Sequence, residues 1–138
     1  MRISDTRWVD LGKFDDARGS LRFGEFDKHL PFAPQRIYYS YNVPAGIPRA
    51  GHGHRELEQV IIALAGGFTL AIDDGYDNAE YRLEDPGRGV YVPKMLWREV
   101  RDFTPDGICL VLASLPYDPA EYIKSYDEFL KLVRSLPC

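Results

Sequence analysis

From Arg36 to Ser114 the chain is a succession of short apolar segments cut by glycine, proline and aspartate. That punctuation restricts the fold more than any other feature. Arg36 to Val43 sets Ile37, Tyr39, Tyr41 and Val43 against Arg36, Tyr38, Ser40 and Asn42, the period-2 alternation of a strand rich in β-favouring residues. Glu58 to Ala65 and Phe68 to Asp73 flank Gly66-Gly67, a two-residue hairpin signal. Asp73-Asp74-Gly75 leads into Glu80 to Glu84, and Asp85-Pro86-Gly87-Arg88-Gly89 into Val90 to Val92. Thr104-Pro105-Asp106-Gly107 then separates Met95 to Phe103 from Ile108 to Ser114. Short strands at near-regular spacing predict an all-β sandwich or barrel.

The period changes near the C-terminus. Asp118-Pro119-Ala120-Glu121 offers an N-cap, a proline at the first helical position and a glutamate three residues past the cap. Tyr122, Ile123, Tyr126, Phe129, Leu130 and Val133 follow at helical spacing. The spacing predicts an amphipathic helix over about residues 118–134, its apolar stripe laid on the outside of the barrel. With 138 residues, 45% of them apolar, the chain reads as one domain over 1–138.

Charge and composition exclude several classes of function. With 17 Lys and Arg against 21 Asp and Glu, the net charge is −4, the wrong sign for a nucleic-acid polymer as partner. The longest uncharged apolar stretch, Val60 to Ile72, is shorter than the roughly 20 residues a membrane helix needs. The first ten residues lack the apolar centre of a signal peptide, so the expected location is cytoplasmic. Cys109 lies in an apolar run and Cys138 is the last residue, which predicts no disulfide framework.

Histidine is scarce, and two of the three are almost adjacent in His52-Gly53-His54. On a strand, residues i and i+2 point to the same face roughly 6.5–7 Å apart, so both imidazoles enter one cavity. Imidazole suits proton transfer or metal ligation. Gly46, His52, His54 and Glu58 carry the spacing of the first motif of metal-binding cupins, small β-barrel proteins. Their second motif normally adds a histidine, yet Gly89 to Arg101 contains none, and His29 beside Leu30-Pro31 reads as a surface residue. The expectation is a site without metal or other cofactor.

Further motifs fall in order along the chain. These are Asp15 to Leu21, Pro31-Phe32, Arg36-Ile37-Tyr38-Tyr39, Arg49 to His54, Asp73-Asp74-Gly75, Trp97-Arg98-Glu99, and Tyr-Ile-x-x-Tyr-x-x-Phe-Leu from Tyr122 to Leu130. Together they resemble the 3,4-ketoisomerases that act on dTDP-4-keto-6-deoxyglucose in deoxy- and amino-sugar biosynthesis, from about Val9 to Val133. The resemblance implies a jelly-roll cupin without catalytic metal. It also implies a homodimer in which N-terminal strands pack onto the partner's sheet.

The implied reaction moves a ketone from C4 to C3 through an enediolate. The resemblance makes His52 the base at C3 and His54 the neighbour that binds or relays the proton. Tyr38, Arg18 and Arg98 are the candidates to stabilise the enediolate oxygen. Periodicity leaves open which face of the Arg36–Val43 strand meets the pocket. The resemblance selects Arg36 and Tyr38 and turns Tyr39 and Tyr41 to packing. For the dTDP moiety, Arg36, Arg49 and Lys94 are diphosphate candidates, and Trp97 or Tyr91 a stacking surface for thymine. The family's usual His-Ala-His is His-Gly-His here, and Gln35 stands where a basic residue is common. Alternatives are a nucleotide-sugar 3,5-epimerase, a metal-dependent cupin enzyme and a non-catalytic sugar-binding cupin.

Overall fold

The alternating segments form twelve strands and one α-helix among residues 1–135, which the structure, a computed structural model, describes. In chain order the first six strands are β1 (Arg7–Asp10), β2 (Gly12–Asp16), β3 (Gly19–Phe23), β4 (Arg36–Ser40), β5 (Arg49–His54) and β6 (Gln59–Ala65). They are followed by β7 (Phe68–Asp73), β8 (Asn78–Leu83), β9 (Arg88–Val92), β10 (Trp97–Arg101), β11 (Ile108–Ala113) and β12 (Tyr122–Ile123). Helix α1 (Tyr126–Ser135) closes the described chain. One antiparallel sheet runs β1-β9-β6-β11-β4 and a second β12-β5-β10-β7-β8, while β2 and β3 pair only with each other. The two open sheets stack as a jelly-roll sandwich. Ile61, Phe68, Leu70, Ile72, Val90, Leu96, Val100 and Val111 form the core. Each such Phe, Leu, Ile or Val contributes about 1.5–3 kcal/mol when fully buried.

The Gly66-Gly67 hairpin expected from the sequence does not form. β6 belongs to the first sheet and β7 to the second, so the chain crosses between layers at this point. Gly66 adopts φ +55°, and a side chain there would run into Thr104 and Asp106. Gly67 N donates to Thr104 Oγ1 at 2.9 Å and Thr104 N donates to the Gly67 carbonyl at 2.9 Å. Two crossings are thereby tied together, since the Thr104–Gly107 turn also links strands of opposite sheets. The Asp73-Asp74-Gly75 turn does join a hairpin, β7 to β8. There the buried Asp74 carboxylate accepts from the backbone of Ile3, Tyr76 and Asp77 and anchors the N-terminus.

The helix begins eight residues later than the capping pattern predicts. Asp118 accepts from Ala120 N as an N-cap does, but it closes only the 3-10 turn Pro119–Glu121. Glu121 turns its carboxylate to Leu57 N at 2.6 Å, and Tyr122 and Ile123 pair with His54 and Gly53 of β5. Satisfying the open edge of β5 outweighs continuing the helix. Ser125 starts α1 instead, its carbonyl accepting from Phe129 N and its hydroxyl from Glu128 N at 3.3 Å. Phe129 and Val133 of α1 are buried with Ile123.

Tyr39 and Tyr41 do not face packing in this chain. They are 59% and 60% exposed, beside Ile37, Leu64 and Ile108 on the outer face of the first sheet. Leu30 and Phe32 cover only the neighbouring part of that face, over Val60 and Ile62. His29 is half-buried against Phe23, its Nδ1 accepting from Glu25 N. Cys109 is a buried free thiol, and Cys138 lies outside the described residues. Among the described residues no helix is long and apolar enough to cross a membrane.

Candidate active site

A cavity of about 580 Å³ opens between the sheets, lined from β4, β5, β6, β10, β11, β12 and Tyr117. Period 2 places its functional side chains. On β4 it selects Arg36, Tyr38 and Ser40; on β5, His52 with His54 behind it; on β10, Arg98 and Val100. Ile61, Val100, Cys109 and Val111 form an apolar floor.

The histidines meet at the centre. His52 Nε2 and His54 Nε2 lie 3.0 Å apart with the rings edge to face, so one nitrogen carries the proton that the other accepts. Tyr122 packs against both rings at 4.9 and 4.7 Å between centroids. The opposite side of β5 is braced at Gly53, where a Cβ would sit 3.3 Å from the Leu96 carbonyl oxygen and 3.4 Å from Phe129. The absent methyl therefore lets α1 seat closely behind the pair.

Arg98 is the most unusual group. It is 1% exposed and has no carboxylate partner among the described residues; Nη1 donates to Gln59 Oε1 at 2.6 Å and Nη2 to the Leu96 carbonyl at 3.1 Å. Burial lowers its pKa to about 10, which leaves it charged at neutral pH. Arg36 spans Tyr38 and Tyr117, its guanidinium carbon 4.9 and 5.4 Å from their ring centroids, and donates to Tyr122 Oη at 3.2 Å. Three buried side-chain nitrogens have no hydrogen-bond partner among the described residues: Arg36 Nη1, His54 Nδ1 and Arg98 Nε. Buried polar groups are normally paired, so each of these nitrogens calls for a water, an ion or a bound molecule as its partner.

These surroundings set the protonation states. Burial, then the charges of Arg98, Arg36 and Lys124, lowers His52 to about 4. Burial, with Arg98, His52 and Arg36, also holds His54 far below the ordinary imidazole value. Both rings are neutral at pH 7 and able to accept a proton. Burial raises Tyr38 despite the pull of Arg98, so its hydroxyl keeps its proton. The unfolded chain therefore binds more protons than the folded one between pH 6.5 and about 4, and stability falls as pH drops through that window. For the same reason kcat/KM is expected to show no acid limb at pH 6.5. A pH–rate profile checks this, and a limb at the ordinary imidazole value would contradict the electrostatics.

The structure brings together His52, His54, Tyr38, Arg36, Arg49 and Arg98. Four other sequence candidates lie outside the cavity. Arg18 sits at the tip of the β2–β3 hairpin, its side chain 91% exposed and paired with Asp16. Lys94 pairs with Glu56 at 3.1 Å. Trp97 precedes Arg98 on β10, so alternation turns it to the opposite face, against Tyr126 and Phe129. Tyr91 alternates with buried Val90 and Val92, packs near Phe32 and donates to Glu58. The carboxylate of Glu58 is thereby engaged by a phenol. No group of three His, Cys, Asp or Glu among the described residues is placed to hold a metal ion.

The sequence reading missed Gln59, Tyr117 and Tyr122. Gln59 left a signal, a polar residue at the head of the apolar run Val60 to Ala65; Tyr122 was absorbed into the helical stripe.

A jelly-roll sandwich with a histidine pair inside its mouth is a cupin. The family described as FdtA, WxcM-like, C-terminal, matches residues 4–134. The TDP-4-oxo-6-deoxy-alpha-D-glucose-3,4-oxoisomerase of Aneurinibacillus thermoaerophilus is 37% identical over 96% of this chain and 95% of its own. A crystal structure of a 3,4-ketoisomerase from Helicobacter canadensis superposes with a TM-score of 0.92 at 40% identity, covering 95% of this chain and 98% of that one. A histidine-to-asparagine mutant of the 3,4-ketoisomerase QdtA from Thermoanaerobacterium thermosaccharolyticum, in complex with TDP-4-keto-6-deoxyglucose, also reaches 0.92, at 31% identity and 96% coverage of both chains. The chain belongs to this family of sugar 3,4-ketoisomerases.

Proposed function

We propose that the protein converts dTDP-4-keto-6-deoxyglucose to its 3-keto isomer. The observation that carries this reading is the neutral histidine pair beside a buried guanidinium that lacks a carboxylate partner among the described residues. His52 removes the C3 proton, and the C–H electron pair becomes the C3=C4 bond as O4 takes up negative charge. Arg98 and Tyr38 stabilise that oxyanion. A proton then returns to C4, O3 gives up its hydrogen and becomes the ketone, and O4 takes up that hydrogen and becomes the hydroxyl, so the atoms balance. His54 shares a hydrogen bond with His52 and relays the proton from C3 toward C4. No cofactor enters the scheme. Arg36 and Arg49 line the cavity wall, where guanidinium groups suit a diphosphate.

The test is incubation with dTDP-4-keto-6-deoxyglucose in deuterated water, followed by NMR of the sugar. The expected product is a 3-keto sugar, carrying deuterium at C4 to the extent that the relayed proton exchanges with solvent on the imidazoles. A 4-keto sugar inverted or labelled at C5 would make the protein an epimerase, and an unchanged bound sugar a binding protein.

The protein acts as a homodimer in this reading, as one cupin domain over 1–138, and a nucleotide-sugar substrate favours the cytoplasm. Ile37, Tyr39, Tyr41 and Leu64 leave an uncovered apolar face, and Phe14 and Leu21 are 67% and 55% exposed on a two-stranded hairpin. Such a hairpin is marginal alone in water, and exposed apolar patches of this kind mark interfaces. In a dimer the hairpin tip offers Arg18 a route to the partner's cavity. Tyr39→Glu is expected to shift the protein to monomer in light-scattering chromatography; an unchanged dimer would place the interface elsewhere.

A further inference from the structure

Gln59 has no part in the acid–base scheme, yet it is 1% exposed and holds two groups of the site. Its Oε1 accepts from Arg98 Nη1 at 2.6 Å, and its Nε2 donates to Tyr38 Oη at 2.8 Å. The orientation of this amide is not free. A guanidinium has only N–H donors, so the amide atom facing Arg98 must be the oxygen. The nitrogen is thereby turned to Tyr38, whose oxygen must accept. A phenol that accepts along one line directs its own O–H along another. No other hydrogen bond holds the Tyr38 hydroxyl among the described residues, and Tyr38 lines the cavity.

We propose that Gln59 is a positioning residue that passes the polarity of Arg98 to Tyr38, so that Tyr38 presents a proton and never a lone pair to the sugar oxygen. Without it the hydroxyl could rotate and meet the developing oxyanion with its own lone pairs, a repulsive arrangement. With it the donor is aligned before charge develops, which is where such a contact is worth most. Arg98 therefore acts through a buried amide as well as by its own charge. The inference rests on the isomerase reading for its consequence in rate, but the direction of the hydrogen bond stands by itself.

The test uses Gln59→Glu, which keeps the size of the side chain and an acceptor for Arg98 but replaces the amide donor with a carboxylate oxygen. That oxygen draws the Tyr38 proton away from the cavity. The expected result is a kcat about 100-fold lower, with the dissociation constant for TDP unchanged. The same substitution made in a Tyr38→Phe background should have no further effect on kcat. A Gln59→Glu enzyme as fast as wild type would overturn the proposal. So would a loss that persists in full in the Tyr38→Phe background, because the carboxylate would then be acting on the charge of Arg98 alone.

A second measurement does not depend on that variant folding. In nitrogen-edited NMR of the side-chain amides, Tyr38→Phe should move one Gln59 amide proton upfield, as a lost hydrogen bond requires. Unmoved amide protons would mean that the phenol donates to Gln59, and the proposal fails. Failure of the isomerase reading looks different: the wild-type protein would leave the 4-keto sugar unchanged while the amide shift persists.

Discussion

His52→Asn is expected to lower kcat by about 10²–10⁴-fold, the usual contribution of a positioned acid–base group. Asparagine keeps a hydrogen-bonding side chain beside His54 and Tyr122 but cannot take a proton from carbon. Binding of TDP should survive, since Arg36 and Arg49 are untouched. The direct readout is exchange of the C3 hydrogen with solvent deuterium, which should stop. His54→Asn should differ: C3 exchange continues while transfer to C4 slows, because the base remains and the relay is broken. Normal C3 exchange in His52→Asn would reverse the two assignments. The 3.0 Å separation of the rings makes both substitutions informative, since each removes one end of a single hydrogen bond.

Arg98→Met is the second large effect, an expected 10²–10³-fold loss in kcat, about the worth of one oxyanion contact. Methionine matches much of the arginine stem without its charge. The stability cost is smaller than for a broken ion pair, because no carboxylate is left unpaired. Gln59 Oε1 and the Leu96 carbonyl do lose their donors, about 1–3 kcal/mol for each buried group left unsatisfied. Turnover and chemical denaturation of the same sample separate these effects. Unchanged turnover would move the oxyanion contact to another residue.

The site was more legible in the sequence than the path of the chain. Alternation identified the strands and placed His52 and His54 in one cavity, because both depend on neighbours two residues apart. The same rule, applied across Trp97-Arg98, excludes one of that pair, and the structure keeps Arg98 inside. Gly66-Gly67 could not be read correctly from local chemistry. A hairpin and a sheet crossing both need a reversal with positive φ, and what separates them is the bonding of Thr104, 37 residues away. The capping signal at Asp118 was genuine but local, satisfied by a single 3-10 turn. Its continuation was decided by the edge of β5, which sequence spacing does not describe. Gln59 escaped for the same reason, since its two partners come from β4 and β10.

The pairing of β12 with β5 makes the chain's tail part of the catalytic wall. Edge strands and terminal helices open at lower free energy than the strands at the centre of a sheet. When Tyr122 and Ile123 peel away, water reaches the imidazoles, the desolvation that keeps them neutral is lost, and Arg36 loses the tyrosine that steadies it. Heat therefore has a route to inactivation that leaves the sandwich intact. Activity is therefore expected to be lost at a lower temperature than the sheet structure, and strengthening this two-strand seam is expected to narrow that gap without altering the chemistry inside.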